Sequence, residues 1–155
     1  MQKNGDFARI VIQSQTELSE RLSELLLAGA FTNRHTLHPR RFPEIAEGIL
    51  HAYVEFLGSG SAAGATELGR ALALEGLGIE SIEAMFGELR RHWWERDAPA
   101  PPELLRAALE GTESFLFLLI GGMMQGRESY ILAEQERLRK AFDAAQAQGR
   151  DHRGA

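Results

Sequence analysis

Between Glu103 and Gln148 no proline and no capping residue interrupts the chain. Every residue there is compatible with a helix, so the sequence predicts one helix from Glu103 to Gln148, stopped by Gly149. At 1.5 Å of rise per residue it spans roughly 65–70 Å. A compact domain of this size is only about 30 Å across. Such a helix must leave the body it helps to build, or be shared with a partner. Its two halves differ in character. Phe115 to Met124 reads FLFLLIGGMM, apolar nearly all round, as for the central helix of a bundle. From Gly126 onward the sequence turns polar, yet Met124, Ile131, Leu138 and Ala145 recur in a heptad register, with Glu128, Gln135 and Phe142 at the intervening positions. One position of that heptad is apolar and the other mostly polar, as in coiled coils that need not be rigid; the alternative is a solvated terminal helix. The expected division is a helical bundle over 1–125 and an exported helix with a polar tail over 126–155. Gly121 and Gly122 lie near the join. Each costs about 1 kcal/mol against alanine in a helix, and the pair is expected either to kink it or to admit a neighbouring helix closely.

Four shorter helical segments precede it, and no stretch alternates as a strand does. Asp6 to Ala28 carries Phe7, Ile10, Leu18, Leu22, Leu25 and Leu26 at helical spacing, with Asp6 as N-cap and Gly29 as the stop. Ala30 to Arg41 reads as a basic loop. Pro43 suits the first turn of a second helix, striped by Ile45, Ile49, Tyr53 and Phe56 and ended by Gly58. Ala62 to Glu75 is a third, closed by Gly76 and Gly78 around Leu77. Ile79 to Arg96 is a fourth, with Ile79, Ile82, Phe86, Leu89 and Trp93 on one face, broken by the proline-rich run that ends at Pro102. The fold expected is therefore all-α: globin-like or an antiparallel bundle of about five helices with a long C-terminal one.

Composition removes several function classes. The 155 residues include no cysteine, which excludes disulfides, zinc–thiolate sites and thiol catalysis. A net charge of −5 has the wrong sign for a general nucleic-acid binder. The longest apolar run is about half the roughly 20 residues a membrane span needs, and the N-terminus lacks a signal-peptide pattern. A cytoplasmic protein with no membrane and no nucleic-acid partner is the expectation.

The chemistry-bearing side chains form no catalytic or metal signature, so an enzyme is not expected. His35 and His38, with Arg34, Arg40 and Arg41, suit either an anion site or a connector whose basic residues meet helix ends; no carboxylate or cysteine nearby completes a metal set. His51 and His92 are the candidate ligands if a haem or tetrapyrrole is bound. Met123 and Met124 offer thioethers, though methionine more often fills core gaps. Trp93 continues the core stripe, and Trp94 lies about 100° round the helix from it. Adjacent tryptophans at a helix end mark an interface or a pocket wall, so Trp93, Trp94, Phe115, Phe117, Met123 and Met124 are the candidate pocket or interface residues, suited to a small apolar ligand. Ile131, Leu138 and Phe142 are the candidate dimer residues.

The stretch LHPRRFPEIAEGILHAYVEFL, the stretch ATELGRALALEGLGIESIEAMFGELRR and the connector YILAEQERLRKAF together resemble the globin-like, non-haem N-terminal sensor domain of the bacterial stressosome co-antagonist proteins. The resemblance runs from Leu37 to Phe142. It is carried by the His38–Arg41 turn, the Glu75–Gly78 turn and the Glu134–Glu136 connector. It implies a homodimer that passes a signal through long helices to a downstream module, without chemistry or cofactor of its own. It also implies that this chain either precedes such a module in a longer protein or works alone. A globin-type haem ligand would fall on the short helix Ala62–Glu75, which holds no histidine. A haem-binding sensor is the alternative.

Overall fold

A computed structural model describes residues 2–30, 37–95 and 101–151, and among them the fold is all-α with no strand. Six α-helices follow in order: α1 (Gln2–Gln13), α2 (Gln15–Ala28), α3 (Phe42–Ser59), α4 (Ala62–Glu75), α5 (Ile79–Trp94) and α6 (Pro102–Asp151).

The expected first helix is two. The path breaks at Ser14, whose N–H bonds to the Val11 carbonyl at 3.1 Å. The polar run from Gln13 to Glu17 has no core to face and is where the turn sits. Phe7 and Val11 of α1 and Leu18, Leu22 and Leu26 of α2 are all buried, α1 against α3 and α2 against α3 and α5. Asp6 lies inside α1 and caps nothing.

A three-residue 3-10 turn, Pro39–Arg41, leads into α3, capped by the His38 Nδ1 accepting from the Arg40 N–H at 3.3 Å. α3 continues through Gly58 and stops at Gly60, which takes a left-handed φ of 70°. α4 ends in the same way. Gly76 sits at φ 99°, and the Leu77 N–H reaches back to the Leu72 carbonyl at 3.0 Å, the six-to-one bond of a Schellman cap.

α6 runs unbroken for 50 residues, about 75 Å. Its glycine pair does not interrupt it. Its buried residues are Ala108, Thr112, Phe115, Leu119, Gly122, Met123 and Gly126, one face at helical spacing. Phe115 is the centre of the core, with the rings of Tyr53, Phe56 and Phe86 at 5.2, 5.7 and 5.7 Å. The expectation that Phe115 to Met124 is enclosed on every side is corrected. α3, α4 and α5 cover one side only, and Phe117 and Met124 on the other face solvent. By length and composition α6 is the one helix among the described residues long and apolar enough to cross a membrane, with a third of its apolar window buried.

α4 is the principal neighbour of α6. The two run parallel: Thr66 meets Gly122, and Arg70, four residues on, meets Gly126, four residues on. Ala65, Gly69 and Ala73 on α4 and Gly122 and Gly126 on α6 place small residues along both sides of the crossing. This spacing lets two backbones touch, as in small-xxx-small helix pairs.

Candidate functional site

Three polar arrangements hold this frame together. In the core, the Trp93 indole N–H donates to the Tyr53 hydroxyl at 3.1 Å. Thr112 spends its one proton on the Ala108 carbonyl, 2.7 Å away, so across the 2.6 Å contact between the two hydroxyls Tyr53 is the donor. The relay joins α5, α3 and α6 with every proton placed. Burial pushes the Tyr53 phenol above its ordinary 10.0, against the opposing effect of its bonds to Thr112 and Trp93. It therefore serves as a neutral hydrogen-bonding group. At the α2–α5 contact, the buried Glu88 carboxylate is held by Arg21 at 3.2 Å and by Arg91 one turn along α5.

The third arrangement joins the two turns singled out in the sequence. Arg41 of the His38–Arg41 turn binds both carboxylate oxygens of Glu75, the last residue of α4, at 3.0 and 2.9 Å, and pairs with Glu44 as well. The hydrogen bonds it donates to Glu75 foremost, then the charges of Glu75 and Glu44, raise the Arg41 guanidinium above its usual pKa. Of the two roles open for this basic loop, Arg41 takes the one of meeting a helix end. Arg34 and His35 lie outside the described residues.

Beside the Glu75–Gly78 turn lies a cleft of about 450 Å3, open on one side, between that turn with the start of α5 and the α6 stretch from Met123 to Ile131. Leu77 and Met123 are its buried apolar surface, with Ala73 and Ile79 alongside; Arg127, Tyr130 and Glu80 supply polar groups. Of the six residues expected to form a pocket, Met123 lines this cleft. Trp93 is buried in the core, its ring edge-on to Phe7 at 5.9 Å. Phe115 is enclosed by other rings. Trp94, Phe117 and Met124 are exposed on outward-facing sides of α5 and α6. The open volume lies between the Glu75–Gly78 turn with the start of α5 and the Met123–Ile131 stretch of α6, at the C-terminal end of the apolar run.

His51 stands on the exposed side of α3. His92 is half-buried beside Trp93, with ring centroids 6.1 Å apart. No cluster of three or more His, Asp or Glu residues able to hold a metal lies among the described residues.

The remaining feature is an exposed face of α6, uncovered by the described residues. Phe117, Met124, Ile131, Leu138 and Phe142 are 78, 61, 46, 63 and 63% exposed. The first four follow one another in strict heptad register, and Ala145 continues it. Phe117 extends the stripe seen in the sequence back by one heptad, onto the half of α6 that builds the core. Beyond Gly126 no residue of the described helix is buried. Sequence reasoning missed the roles of Thr112, Glu88, Gly69 and Arg127, and placed Gly126 near the join of the two halves of α6 without its contact to α4. The repeated four-residue spacing of small residues on α4 and α6 was the available signal for the glycines. The Glu88–Arg91 pair is local to α5, but the burial of Glu88 depends on Arg21 of α2, which no local pattern gives.

No family model, curated protein or solved structure matches the chain.

Proposed function

We propose that the chain is a non-enzymatic sensory and dimerisation module of a bacterial-type signal-transduction protein, in which α6 pairs with a second copy and passes a signal along itself to a downstream partner. The observation that carries this is the exposed heptad stripe on α6, from Phe117 through Ala145. A single helix some twenty residues long projecting into water is only marginally stable. Four large apolar side chains left in water along one register, with Phe142 at the intervening heptad position, have a favourable fate in a coiled coil. The connector is ringed by i,i+3 pairs, Arg137 with Glu134 and Arg139 with Glu136, which keep its other faces soluble.

A cytoplasmic, water-exposed setting is part of the proposal. Arg70 of α4 donates to Gln125 at 2.9 Å across the α4–α6 crossing and pairs with Glu67. A membrane placement of α6 would draw that charged pair and the helices packed on Phe115 toward lipid, at a cost of several kcal/mol per unsatisfied charge. The resemblance of the two linked turns and the connector to stressosome co-antagonist sensors supports the same reading.

Amide hydrogen exchange over residues 132–149 tests it. A paired helix gives protection that rises with protein concentration and is lost in Leu138→Glu. Fast exchange at all concentrations, with no difference in Leu138→Glu, contradicts it.

A further inference from the structure

The cleft beside the Glu75–Gly78 turn has an apolar floor and a cation, Arg127, that forms no ion pair among the described residues. Leu77 and Met123, 5% and 1% exposed, form the floor. Arg127 lines the cleft from α6. Arg106, Arg137 and Arg139 on the same helix each bind a glutamate three or four residues away. Around Arg127 those positions are Met123, Met124, Tyr130 and Ile131, so its own helix supplies no carboxylate. Glu80, across the cleft in the first turn of α5, makes no ion pair with it and stands where the helix dipole favours a negative charge. A guanidinium beside a buried apolar wall matches a ligand with a carboxylate at one end and a hydrocarbon body at the other.

We propose that this cleft binds a medium-chain monocarboxylate, its carboxylate on Arg127 and its chain over Leu77 and Met123. A body of that size fits the volume of about 450 Å3. The proposal names the ligand chemistry for the sensory reading above and rests on that reading only for the consequence of binding. Ile131 lines the cleft and also stands on the exposed stripe, so a bound chain touches a residue that a second copy would cover.

Isothermal titration of the full chain with octanoate, below its micelle concentration, tests the site, with octanol and octylamine as comparison probes. Octanoate binds and octylamine does not. Arg127→Gln weakens octanoate binding by about tenfold or more, the loss of one charge-assisted contact, while Glu80→Gln leaves it equal or tighter. Circular dichroism confirms that both variants are folded. The proposal is overturned if octanoate does not bind, if octanol or octylamine binds equally well, or if Arg127→Gln leaves the affinity unchanged. The light-scattering mass of the same samples keeps the two readings apart. Absence of octanoate binding overturns the ligand whatever the mass, and a monomeric mass overturns the paired helix whatever binds.

Discussion

Gly122 of α6 and Thr66 of α4 touch backbone to backbone: a β-carbon built on Gly122 would stand 2.0 Å from the Thr66 carbonyl oxygen. The same is true in reverse one turn away, where a β-carbon on Gly69 would lie 2.0 Å from the Leu119 carbonyl oxygen. These contacts fix the depth at which α4 seats against α6, and hence the position of the Glu75–Gly78 turn and the cleft beside it.

Gly122→Ala and Gly69→Ala are therefore expected to destabilise the fold by about 1–3 kcal/mol or more, because the obstructing atoms are backbone and have no rotamer to change. Gly121 is the internal control. It has open space where its β-carbon would be, so Gly121→Ala is expected to be neutral or to stabilise by about 0.5–1 kcal/mol through helix propensity. Urea denaturation of the three variants gives the comparison. Equal behaviour of Gly121→Ala and Gly122→Ala would contradict the seating.

Much of the fold was legible in the sequence, and the parts that were not have physical reasons. α4 could be bounded from Ala62 to Glu75 because Gly76 is the only residue type at ease at its φ of 99°. The length of α6 followed from the absence of prolines. The break at Ser14 was hidden because a polar turn inside a helix and a turn between two helices have the same composition. The glycine pair was read as a unit, but only Gly122 faces α4; which of two adjacent residues points inward depends on a neighbour whose position no local pattern gives. For the same reason the sequence leaves Phe117 and Met124 open between pocket and interface. An apolar run tells that a helix is apolar on all sides, not how many sides other helices cover. The cleft meets the apolar run only at Met123, because its other wall is the Glu75–Gly78 turn, whose place beside α6 no local pattern gives.

The Trp93–Tyr53–Thr112 relay predicts the effect of removing one hydroxyl. Tyr53→Phe keeps the ring contacts with Phe115 but removes the hydroxyl that accepts from the Trp93 N–H and donates to Thr112. A loss of about 1–3 kcal/mol is expected from the unsatisfied groups, together with a changed Trp93 fluorescence. Unaltered stability would mean that water replaces the hydroxyl.

The raised pKa of Tyr53 carries a pH dependence with a defined sign. The folded state holds the phenol proton more tightly than the unfolded state, so its contribution is constant below the unfolded value of 10.0 and stability falls as pH climbs above it. Urea denaturation between pH 8 and 11 should show an alkaline loss of stability that is smaller in Tyr53→Phe. The same slope in both proteins would place the alkaline sensitivity elsewhere.

The central claim is that the stripe from Phe117 to Ala145 is covered by a second copy of the chain. Multi-angle light scattering on the full chain measures this most directly. The account predicts a mass about twice the 17.2 kDa of one chain, falling to a single chain in Leu138→Glu with the body still helical. A mass of 17.2 kDa for the unmodified protein at every concentration, or a dimer indifferent to Leu138→Glu, would contradict it.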